Sequence, residues 1–83
     1  MDEIIHGRKV RVGDFIRCRP PRQRSFLGVV KGFHYDDDRF VTSVDVWGGN
    51  NQRASMRTLW VGQVEPLSDR EQARAIKKAQ RGQ

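Results

Sequence analysis

Seven cations crowd one short stretch of this chain: Arg8, Lys9, Arg11, Arg17, Arg19, Arg22 and Arg24, with Asp14 the lone acid among them. A second group, Arg70, Arg74, Lys77, Lys78 and Arg81, stands near the other end with Asp69 and Glu71. The 43 residues between the two, 25–67, are nearly neutral. Guanidinium groups offer planar forks that match phosphate oxygens and flat faces that stack on bases. Cations held on a rigid sheet face neutralise phosphates and release counterions, which gives an affinity that falls steeply with salt. The chemistry indicated is contact with a polyanion. The competing reading is a solvated face in a chain whose arginine bias reflects GC-rich codons.

Trp47 is the leading aromatic candidate. If Val44 and Val46 point inward, strand parity turns Trp47 outward, where an indole can stack on an unpaired base. Its other uses are to cover a second apolar layer beneath a helix or to anchor a protein partner. Phe15 and Phe26 flank the basic loop and offer a second stacking surface. Trp60, at a strand end, is expected in the core.

Catalysis finds no support in the sequence. It lacks a Gly-rich phosphate loop followed by Lys-Ser/Thr, a Gly-x-Ser-x-Gly elbow and a His-Glu-x-x-His pair. Asp36-Asp37-Asp38 fails the calcium-loop spacing and reads as a charged hairpin tip. His6 and His34 are far apart in sequence, and one Cys cannot complete a four-ligand zinc site. Cys18 falls at an inward strand position, where a thiol acts as a small hydrophobe. We therefore expect no enzyme, no metal and no cofactor.

The elements that must position these groups are short strands. Val10 and Val12 alternate with Arg11, Gly13-Asp14 interrupts, and Ile16 and Cys18 alternate with Arg17 and Arg19, so the apolar set should point inward and the arginines outward. Pro20 to Ser25 is a loop, because consecutive prolines cannot sit inside a sheet. Phe26–Tyr35 reads as a long strand that Gly28 and Gly32 allow to bend. Asp36–Arg39 is the turn, and Phe40–Trp47 the returning strand, with Phe40, Thr42, Val44 and Val46 on one face. Gly48-Gly49-Asn50-Asn51 is a strong turn signal. Further strands are expected near Ala54–Leu59 and Val64–Leu67, joined by a short turn at Trp60–Gln63. Turns at this spacing indicate a small all-β barrel or sandwich.

Ser68-Asp69-Arg70-Glu71 fits a capping box that opens a helix running to Gln80, with Gly82 as its stop. Arg70, Arg74, Lys77, Lys78 and Arg81 share one arc of that helix, and Ala73 and Ile76 offer only a thin apolar seam.

With 83 residues and a net charge of +6 from 16 Lys+Arg against 10 Asp+Glu, the chain is long enough for one domain. We place a β-domain at residues 8–67 and treat 68–83 as a basic helical appendage. No apolar run is long enough to span a membrane. Asp2 and Glu3 stand where a secretory signal carries its basic start, so a cytoplasmic protein is expected. A lone Cys excludes an internal disulfide.

Val10-Arg11-Val12-Gly13-Asp14-Phe15-Ile16-Arg17-Cys18, followed by Gly28-Val29-Val30, resembles the opening of small SH3-like barrels of the KOW and Tudor type. There a Gly-Asp step starts the first barrel strand and a Gly-led strand follows a variable loop. The resemblance covers residues 10–67 and implies a mainly β fold, a five-stranded antiparallel SH3-like barrel, here with a C-terminal α-helix. Pro20-Pro21 stands where KOW sequences carry Gly-rich turns. The Arg-rich make-up is also similar to that of small basic proteins of actinobacterial phages. Such barrels bind RNA, DNA, RNA polymerase or modified peptides.

The combined expectation is a non-enzymatic module that binds DNA or RNA with low sequence specificity. Its contacts would be Arg11, Arg17, Arg19, Arg22 and Arg24 on one shared exterior patch, Trp47, and Arg74, Lys77, Lys78 and Arg81 from the helix. The alternatives are an adaptor, phage-encoded, that captures a host transcription or replication factor through an apolar patch at Trp47, Phe26 or Ile76, and a homo-oligomer formed through a barrel edge.

Overall fold

The computed structural model describes residues 2–49 and 54–81. The chain opens with a hairpin that the sequence pattern had not indicated, β1 (Asp2–Ile5) and β2 (Arg8–Arg11). His6 and Gly7 join them with φ of 52° and 80°, the left-handed pair that a two-residue hairpin turn demands. Ile5 and Val10 are buried on the core side, and His6 Nε2 lies 2.9 Å from the Val61 carbonyl oxygen, which ties the turn to a segment 55 residues away.

β3 (Phe15–Cys18), β4 (Phe26–Tyr35), β5 (Val41–Gly48), β6 (Ser55–Trp60) and β7 (Val64–Pro66) form a five-stranded antiparallel sheet in the order β6-β5-β4-β3-β7. The turn before β3 works as its residues dictate. Gly13 takes a φ of 99°, Asp14 accepts the Arg11 N–H at 3.0 Å, and the Gly13 N–H and Asp14 carbonyl both bond Val30. The ladder between β4 and β5 shifts register between Val30 and Gly32, which bends the long strand where glycine was expected to allow it. A single 3-10 turn, Val61–Gln63, joins β6 to β7. No ladder links those two edge strands among the described residues, so the sheet is open.

The inner face holds the core: Ile16, Cys18, Phe26, Val30, Val44, Val46, Leu59 and Val64, with Ile5 and Val10 closing over them. Gly28 and Gly48 face each other across β4 and β5. A Cβ on Gly48 would lie 2.9 Å from both Gly28 Cα and the Leu27 carbonyl, so β5 needs a bare backbone there.

Three burial expectations are corrected. Val12 is exposed, because the chain turns at Gly13 before its parity continues. Phe40 lies outside the strand, beyond a register shift near Tyr35, and is exposed instead of sharing the face of Val44. Trp60 is 66% exposed rather than core, because Leu59 takes the inward position beside it.

The last element, α1 (Asp69–Arg81), begins as its capping box requires. Ser68 N–H donates to Glu71 Oε1 at 3.1 Å, and Glu71 N–H donates to Ser68 Oγ at 3.2 Å. The helix docks through Ala75, Gln72 and Glu71, whereas Ala73 and Ile76, the expected seam, face solvent. The expected turn at Asn50-Asn51 and the stop at Gly82 lie outside the described residues.

Candidate nucleic-acid interface

Strand pairing decides which side chains share the outer face of the sheet. Phe15 stands opposite Val29, Val29 opposite Trp47, and Trp47 opposite Met56. One step along, Glu65, Arg17 and Leu27 form the adjoining row. Side chains opposite each other on an antiparallel pair lie on one face and touch. The outer face thus carries an apolar row across four strands, and it is uncovered at its far end. Trp47 is 45% exposed, Met56 54% and Leu27 41%. The outward turn expected of Trp47 is observed.

α1 crosses the near end of that face. A hollow of about 370 Å³ lies where the helix meets the sheet, lined by Phe15, Leu27, Gly49, Ala75 and Lys78 among others. A second, of about 170 Å³, is lined by Arg17, Leu27, Glu71, Arg74, Ala75 and Lys78. Shared walls at Leu27, Ala75 and Lys78 make the two adjoining parts of one trough, with an apolar floor and a cationic rim.

Three arginines of the amino-terminal block, expected to be available on a shared exterior patch, are ion-paired. Arg11 Nε lies 3.2 Å from Asp2, its register partner on β1. Arg17 Nη2 donates to Glu71 Oε2 at 2.8 Å, and Arg19 Nη2 lies 2.7 Å from Glu65 Oε2. Each is held by a carboxylate from a different element, and Glu65, which pairs with Arg19, is also the register partner of Arg17. Exposed pairs of this kind contribute about 0–1 kcal/mol to stability, but each carboxylate competes with a phosphate for its guanidinium. Arg22 and Arg24 are exposed in the loop between β3 and β4, Arg22 with a φ of 60°. Arg22 makes no ion pair among the described residues.

The helix differs. Arg70, Arg74, Lys77 and Lys78 are exposed and make no ion pair among the described residues. Arg74 and Lys78 border the trough. Arg81 ends the helix, and its side chain lies outside the described set.

Other candidates settle into structural places. Phe26 is buried, and Arg57 stacks over its ring at 5.1 Å while donating to Gln23 Oε1 at 2.9 Å. Phe15 is half-buried under α1. Neither presents an open ring. Burial pushes the Cys18 thiol up to about 11, so it is a poor nucleophile. His34 and Thr58 both bond Asp45 on the outer face. Those bonds, Thr58 first, hold the Asp45 carboxyl below its ordinary range against the opposing effect of burial. No group of three potential metal ligands occurs among the described residues, and no helix is long and apolar enough to cross a membrane.

Sequence reasoning missed Met56 and Leu27, which complete the platform around Trp47. The available signal was parity: Leu27 and Val29 precede Val30 on its long strand, and Met56 has the parity opposite to Leu59. Comparison with known protein families, with curated proteins and with solved structures found no match to this chain.

Proposed function

We propose that this chain is a non-enzymatic nucleic-acid-binding module of low sequence specificity, acting in the cytoplasm, whose footprint centres on α1 and the outer sheet face. The observation that carries the reading is the set of four exposed helix cations, Arg70, Arg74, Lys77 and Lys78, without an acidic partner among the described residues, on a molecule whose sheet also exposes Trp47. Phosphate contacts from such side chains position a nucleic acid without reading its bases. Arg22, and Arg24 beside it, extend the positive field from the loop. Arg11, Arg17 and Arg19 contribute only where a phosphate displaces Asp2, Glu71 or Glu65.

We read the sheet as an SH3-like barrel whose seam lies between β6 and β7. Two features support this. β3 pairs with both β4 and β7, so the last strand returns beside the first. The tight 3-10 turn also keeps β6 and β7 consecutive at the open edge.

The test is a fluorescence-anisotropy titration with labelled DNA and RNA at several salt concentrations. The expected result is binding whose log K falls linearly with log salt, by ~0.7–0.9 for each phosphate contact. Salt-insensitive binding, or none at low salt, overturns the reading.

A second reading, an adaptor for a protein partner, is favoured by the exposed apolar side chains of Trp47 and Met56, which share a row with Val29, and of Leu27 in the row beside it. In that case capture of the partner survives nuclease treatment, is lost in Trp47→Ala, and is insensitive to removal of Lys77 and Lys78.

A further inference from the structure

Two helix cations, Arg74 and Lys78, border the trough, and the exposed indole of Trp47 stands in the next row of the sheet beside it. Leu27 belongs to both hollows between α1 and the sheet. The row containing Trp47 and Met56 runs directly alongside it, since Val29, the register partner of Trp47, is two residues from Leu27 on β4. Arg74 and Lys78 stand one helical turn apart on the opposite rim, about 6 Å along the axis. From one wall to the other the order is therefore cation, apolar floor, aromatic platform.

A duplex does not use such a surface well. Its phosphates face outward and its base faces are buried in the stack, so Trp47, Met56 and Leu27 would be covered with nothing stacked on them. An unpaired strand presents both halves of the match. Its bases have free π-faces for an indole, and its phosphates repeat at intervals that a row of cations on successive helical turns can follow.

Resting on the nucleic-acid reading, we infer that the trough between α1 and the outer sheet face takes a single strand, with a base stacked on Trp47 and flanked by Met56 and Leu27, and its sugar-phosphate backbone along Arg74 and Lys78. Stacking supplies the preference for single strands, and the lysine and arginines supply the salt dependence. Because every base has a π-face, the preference is for strandedness and not for sequence.

The experiment uses the Trp60→Phe protein, which leaves Trp47 as the sole indole of a chain with two. Its emission is followed on titration with an oligothymidylate, an oligouridylate and a DNA duplex of the same length. The expected result is quenching by one or both single strands, which bind at least tenfold more tightly than the duplex. Adding Trp47→Ala should cost roughly tenfold in single-strand affinity, followed by anisotropy, and leave the salt slope unchanged. Trp47→Phe, which keeps a smaller ring, should fall between the two. Lys78→Gln should do the reverse, lowering the slope by ~0.7 while quenching persists at saturation. Quenching in the Trp60→Phe protein is independent of whether Trp47→Ala folds. Duplex binding as tight as single-strand binding, with Trp47 emission unmoved, overturns this inference and leaves the nucleic-acid reading standing. Failure of all three probes to bind at low salt overturns both.

Discussion

Gln72 holds Phe15 by both halves of its backbone: the Phe15 N–H donates to Gln72 Oε1 at 2.7 Å, and Gln72 Nε2 donates to the Phe15 carbonyl at 2.9 Å. β7 ends at Pro66, opposite Ile16, so Phe15 has no strand partner on that side. The side-chain amide of a helical residue takes the place of the missing strand residue. This explains how a helix with little apolar surface is fixed to the sheet.

Gln72→Ala should leave two backbone groups of Phe15 without partners, at a cost of about 1–3 kcal/mol. The expected outcome is a lower melting temperature together with faster amide exchange along α1 and at Phe15. Unchanged protection in the helix would show that Ala75 and Arg17 hold it alone.

The Glu71 carboxyl is held below its ordinary value of 4.5, first by the Ser68 backbone N–H, then by the Ser68 hydroxyl and by Arg17. A carboxyl whose folded pKa is depressed contributes stability that is whole above its unfolded pKa and is lost as pH falls through the folded one. Helix content measured by circular dichroism should therefore hold steady down to about pH 4.5 and decline below it. Glu71→Gln retains an acceptor for Ser68 but no charge for Arg17. It should flatten that decline, and a full decline in the variant would assign the transition to other carboxyls.

Gly48→Ala should be among the costlier single-methyl additions in this chain. The new Cβ meets backbone atoms of β4 at 2.9 Å, with the Phe26 ring at 3.2 Å. Backbone cannot step aside as a side chain can, so a loss of about 1–3 kcal/mol is expected. Chemical denaturation would measure it. Gly62→Ala, with open space around the added methyl, is the control and should be near neutral.

Cys18 should react with a disulfide reagent at neutral pH only when the protein opens. It is fully buried, its hydrogen lies toward the Ile16 carbonyl at 3.7 Å, and burial raises its pKa to about 11. The labelling rate should track global stability across denaturant concentrations. Rapid labelling in the native state would contradict the assigned core.

What the sequence disclosed was mostly local. The Gly13-Asp14 turn, the Asp36–Arg39 tip, the bend at Gly32 and the Ser68–Glu71 box each depend on residues within a few positions, and each is observed. The inward set of Ile16, Cys18, Val44 and Val46 followed from strand parity and is buried. Contacts between distant residues were not legible. Arg17 meets Glu71 from 54 positions away, and Gln72 meets Phe15 from 57. Without knowing that α1 folds back over β3, nothing marks Glu71 as a partner for Arg17, and the amino-terminal arginines look free. β1 was not expected, although Ile5 and the His6-Gly7 turn carry its strand signal.

The central claim is that binding strength resides in the unpaired cations of α1 and not in the ion-paired arginines of the hairpin and sheet. It is tested most directly by comparing the salt dependence of nucleic-acid binding in two double variants, Arg74→Gln/Lys78→Gln and Arg11→Gln/Arg19→Gln. Two lost phosphate contacts should reduce the log–log slope by ~1.4–1.8 in the helix variant, with the slope of the other unchanged. A slope reduced only in the Arg11/Arg19 variant, or the same in both variants as in the parent, would contradict the account.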